Sequence, residues 1–169
     1  MKQILTVLAI FCFFSVMAAP ASAFTAESLS IDVSENGGDS TVTFSYTLGL
    51  AERVAVFFKV ADPAAELKSA LESNSGKEVS VSEVTTNSAA FNVTGYAHVD
   101  IGDGETTYTT PALSFTRASE ILSGYWFAPL ITVDLSPAET TVTFPPDGFE
   151  ESFNDSIEIP KISHTVSLS

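Results

Sequence analysis

The residues best placed to do chemistry lie in one run, "YAHVDIGDGETTYTT", at positions 96–110. Asp100, Asp103 and Glu105 bring three carboxylates together around two glycines. Oxygen-rich loops bind calcium, which takes about 6–8 oxygen ligands. The spacing here is not that of an EF-hand, and Asp100 and Glu105 flank a narrow turn. A weak extracellular Ca2+ site is the most that these three carboxylates offer, and no other cofactor is implied. The run reads more simply as a β-hairpin. A three-residue loop of Gly102, Asp103 and Gly104 pairs Ile101 with Glu105, Val93 with Leu113 and Phe91 with Phe115, so the apolar faces coincide. Gly95 then falls opposite Pro111, and both residues weaken a ladder. In that register Tyr96, His98, Asp100, Thr106 and Tyr108 share an outward strip. Aromatic and polar groups mixed in this way suit a binding face or a subunit interface. Cross-strand pairing on a solvated sheet gives the same pattern.

Trp126 is the second binding candidate, in "GYWFAP". Tyr125 and Phe127 share a strand face with Ile131, Val133 and Leu135, which leaves Trp126 on the other. Exposed, it would stack on a sugar ring or a neighbouring subunit; otherwise it packs beneath a helix. Two N-x-S/T sequons, at Asn92 and Asn154, are glycosylation candidates on an exported chain. Catalytic constellations are poorly supplied. His98 and His164 are the only histidines, and neither G-x-S-x-G nor H-E-x-x-H occurs. The expectation is a protein that is not an enzyme.

These residues need elements to hold them. Residues 40–48 alternate strictly, with Val42, Phe44, Tyr46 and Leu48 on one face and Thr or Ser on the other, as in a half-buried antiparallel strand. Residues 26–34, 53–60, 77–84, 88–101, 105–116, 125–135, 139–144, 149–153 and 156–168 also read as strands. Pro146 and Asp147 suit a turn ending at Gly148. The one helix covers residues 63–73, with Asp62 as N-cap, Pro63 at the first turn and Ala64, Leu67, Ala70 and Leu71 as its apolar stripe. Many short strands with turn signals and one covering helix imply an all-β fold, an antiparallel Greek-key type β-sandwich, with a small β-barrel as the alternative.

Residues 1–23 have the anatomy of a cleaved signal peptide: Lys2, an apolar run, then Ala21-Ser22-Ala23. Residues 24–169 form the single mature domain. Cys12, the only cysteine, leaves with the leader, so core packing and sheet hydrogen bonds must stabilise what remains. The full chain carries a formal charge of −14. Such an acidic surface disfavours nucleic acid and anionic membranes. No membrane span is expected after cleavage. The leading expectation is a secreted structural protein of the cell surface that self-assembles, or joins other surface proteins, through terminal strands at 24–34 and 162–168. The alternative is a soluble extracellular binding module for carbohydrate, a cation or a protein partner.

Overall fold

Alternation of apolar residues with Ser and Thr builds the larger layer. In β1 (Thr25–Val33) the buried side chains are Ala26, Leu29, Ile31 and Val33, and in β2 (Ser40–Thr47) they are Ser40, Val42, Phe44 and Tyr46. A period of two puts one face of each strand on a core and the other in solvent. The computed structural model describes residues 25–36, 38–49, 63–124 and 134–167. Helix α1 (Pro63–Ser75) follows β2. Next come β3 (Val79–Val84), β4 (Ser88–Val93), β5 (His98–Gly102), β6 (Glu105–Thr110) and β7 (Leu113–Ser114). Helix α2 (Thr116–Ser123) then precedes β8 (Glu139–Phe144), β9 (Phe149–Asn154), β10 (Glu158–Ile159) and β11 (Ile162–Ser167).

Six strands form one sheet in the order β3-β4-β2-β1-β8-β9, with β1 and β8 parallel and the other pairs antiparallel. The facing layer has the order β11-β6-β5, continued by the β10-β7 pair. Ile162 pairs with Thr110 and Ile159 with Leu113 in one unbroken register, so β10–β11 and β6–β7 form a single ribbon. Pro111 and Pro160 interrupt it, because neither can donate a ladder hydrogen bond. The layers meet through Phe44 and Phe115, both buried, with ring centroids 5.6 Å apart. The sheets do not close into a barrel; the fold is an all-β sandwich with short helices.

Helix α1 lies where the sequence places it and turns Ala64, Leu67 and Leu71 inward. It runs on to Ser75 and ends at Gly76, whose N–H donates to the Glu72 carbonyl at 2.8 Å. Helix α2 is an addition to the sequence reading. Ser114 Oγ accepts the Thr116 N–H at 3.3 Å and satisfies one free donor of its first turn. The strand expected over 53–60 and most of that over 125–135 lie outside the described residues.

The long strand expected over 88–101 is broken. β4 pairs with β2 and β3, not with residues 111–115, and the chain leaves the large sheet at Thr94 to re-enter the other layer as β5. A loop from the first hairpin fixes the crossing. Asp39 Oδ1 accepts the Gly95 N–H at 2.7 Å, and the Gly38 carbonyl accepts the Ala97 N–H at 2.8 Å. The hairpin loop is also one residue shorter than expected. Gly102 pairs with Glu105 and Ile101 with Thr106, leaving Asp103 and Gly104, both at positive φ (51° and 80°), as a two-residue type I′ turn. Among the described residues no helix is long and apolar enough to cross a membrane.

Candidate functional site

β11 carries different chemistry on its two faces. Outward, Thr165 Oγ1 lies 2.8 Å from Thr107 Oγ1, and Ser163 Oγ lies 2.9 Å from Thr109 Oγ1, so paired hydroxyls fasten the strand to β6. Inward, His164 stands between Ile162 and Val166. Its Nε2 lies 3.1 and 3.0 Å from the two carboxylate oxygens of Asp147, in the β8–β9 turn. Its ring stacks on Phe149 with centroids 4.3 Å apart and planes within 4°, and meets Phe144 at 5.8 Å. The contact ties the last strand of one layer to a turn of the other. Asp147 also accepts the Phe149 N–H at 3.2 Å. Desolvation by itself would raise the Asp147 carboxyl; the Phe149 N–H and His164 outweigh it and hold the group below the usual carboxylate range.

The other edge of β11 has no partner among the described residues. Exposed edges are templates for another strand, and proteins guard them with charge, proline, bulges or brevity. β3 has a register shift between Val81 and Glu83, and carries Glu83 itself. β9 carries Glu150 and Glu151, and β5 is five residues long and holds Asp100. β11 makes six consecutive pairs with β6 and contains no Asp, Glu, Lys, Arg or Pro. It is the least guarded edge of the four. β1, the other terminal candidate, is paired on both sides in the middle of the large sheet. Residues 25–33 are therefore built into this chain's own core and are not a free arm.

No family model, curated protein or solved structure matches the chain.

The outward strip drawn from the sequence is not assembled. Tyr96 and Tyr108 are buried, at 3% and 6% exposure, as is Thr106. His98 and Asp100 are exposed, and His98 pairs with Thr109 instead of Tyr108. Shortening the loop by one residue explains this, because it moves Thr106, Tyr108 and Thr110 to the core side. Tyr108 now sits between Val99 and His164 in the ladder. Burial pushes the Tyr96 hydroxyl well above its ordinary range by desolvation. Asp100, Asp103 and Glu105 are all exposed around the β5–β6 tip. Among the described residues no three His, Cys, Asp or Glu side chains form a metal cluster. Trp126 lies outside the described residues. Asn92 and Asn154 are both exposed.

The sequence reading places Asp147 in a turn and names His164, but does not bring the two together. Their signal was thin: a turn aspartate, and a histidine on the apolar face of "ISHTVS". A hollow of about 60 Å³ lies between α1 and α2, lined in part by Ser69, Ser73, Asn74 and Arg117. Small-molecule pockets are typically ~300–1,000 Å³, so this one takes at most water or a small ion.

Proposed function

We propose that this chain is an exported, non-enzymatic subunit of a surface assembly, joined to a second copy by strand addition along β11. The observation that supports it is the outer edge of β11, which has no partner among the described residues. Along six residues in regular register, every second residue turns its backbone N–H and C=O to that edge, without charge, proline or bulge. The clasp of His164 by Asp147 and Phe149 holds that strand in place, so little ordering would accompany docking. The leader-like residues 1–23 support export, and the acidic surface favours a protein partner over nucleic acid.

The test is Thr165→Lys, which puts a charge on the exposed side of the edge strand. Added positive charge lowers the net repulsion between copies of so acidic a chain. Loss of association in this variant would therefore report the blocked edge and not a change in overall charge. Circular dichroism establishes that the variant is folded. Undiminished association of a folded Thr165→Lys would remove β11 from the proposal.

A further inference from the structure

The outer face of the six-stranded sheet is built mainly from small polar side chains. Register places Ser30, Thr43, Ala90 and Thr141 in one row across four strands. The next row runs through Asn92, Thr41, Asp32, Thr143 and Glu150. A third joins Ser28 to Glu139 and Glu139 to Asn154. These rows hold small, mostly polar side chains with a few acids, and they contain no aromatic residue, lysine or arginine. Such a face gains little from burial against a protein. The sheet register brings both sequon asparagines onto it, Asn92 in β4 and Asn154 at the end of β9. Both side chains are exposed, and so is Thr94, which completes the first sequon. The neighbours of Asn92 across the ladder are Thr41 and Ser80, both small. Asn154 ends an edge strand, just before the turn at Asp155.

We infer that Asn92 and Asn154 are N-glycosylated, and that the outer face of the six-stranded sheet is the sugar-bearing side of the protein. The inference rests on the proposed export. In the modification the side-chain amide nitrogen forms a C–N bond to the anomeric carbon of an oligosaccharide held on a lipid diphosphate. The anomeric C–O bond breaks, and the lipid diphosphate leaves with the electron pair and takes up the amide proton. The sequon hydroxyl, from Thr94 or Ser156, is the recognition element. Glycans there would leave the β11 edge, in the opposite layer, free for a neighbour.

The full chain is expressed in a eukaryotic secretory host, once with residues 1–23 and once behind a leader of that host. Protein from the medium is measured by intact mass before and after glycosidase. The expected result is two glycans, one lost in Asn92→Gln, one lost in Asn154→Gln and both in the double variant. Thr94→Ala removes the first glycan while leaving its asparagine in place. Unmodified asparagines in protein recovered from the medium overturn the inference. Glycosylated protein recovered only with the host leader supports the glycan sites and counts against export by residues 1–23.

Discussion

Substituting Gly38 tests how the chain changes layers. A Cβ at this position would lie 2.0 Å from the Ala97 carbonyl oxygen and 2.9 Å from its carbon. Both are backbone atoms, and no side-chain rotation relieves the overlap. Gly38 also holds φ at 78°, in the left-handed region. Three costs follow for Gly38→Ala. The left-handed conformation costs a residue with a Cβ about 1–2 kcal/mol. Forced overpacking costs a further ~1–3 kcal/mol. Separating the two segments strains or breaks the bond from the Ala97 N–H to the Gly38 carbonyl, which contributes ~1 kcal/mol. Together these approach 3–6 kcal/mol, a large part of a typical domain stability of ~5–15 kcal/mol. The melting temperature should fall by about 6–24 °C, at ~2–4 °C per kcal/mol for a domain near this size. Gly104→Ala is the matched control. It has φ of 80°, but a Cβ there meets nothing within 4 Å. Its cost should be the conformational part alone, about 1–2 kcal/mol. Urea titrations of both variants give the comparison. Equal losses in the two would refute the close approach of Gly38 to Ala97, and with it the account of the crossing.

Phe115→Ala should cost about 3–5 kcal/mol in urea unfolding, and the Phe44→Ala/Phe115→Ala double variant less than the sum, because the two rings pack on each other across the layers. Asp147, with its carboxyl held below the ordinary range, contributes stability that is present above the unfolded carboxylate pKa and lost as pH falls through the folded value. Asp147→Asn should therefore flatten the acid limb of a stability–pH curve, and an unchanged limb would count against the His164 contact. Thr140 is fully buried, and its hydroxyl has no hydrogen-bond partner among the described residues. Thr140→Val should be neutral or stabilising by up to ~1–2 kcal/mol, as read from the urea midpoint, and a clear loss would mean that the hydroxyl is bonded.

The strands of the large sheet were legible because their apolar residues mostly alternate with Ser and Thr, as Val42, Phe44 and Tyr46 do in β2, although Ser40 and Thr140 also lie on the buried side. Length and amphipathicity likewise marked α1. The crossing at 94–97 was not legible. The alternation from Phe91 through Val93 and Val99 to Ile101 continues as if one strand ran on. What breaks it is a pair of contacts with Gly38 and Asp39, more than fifty residues earlier. The hairpin loop was ambiguous for a local reason. Gly102 and Gly104 both tolerate turn conformations, and only the positive φ adopted by Asp103 selects the two-residue loop. That one-residue difference buried Tyr108 and dissolved the proposed aromatic strip. The His164–Asp147 contact was hidden because its partners lie in different layers. The edge character of β11 was partly legible, since a terminal strand without charge is visible in the sequence. That β1 sits in the middle of a sheet depends on its parallel pairing with β8, which no local pattern announces.

The most direct test of the account is the mass in solution of residues 24–169, measured by light scattering over a wide range of concentration, with and without calcium. Assembly through β11 requires the mass to rise with concentration in multiples of the chain mass and to stay at one chain in Thr165→Lys. A single chain's mass at every concentration, in both proteins, would contradict the proposed assembly.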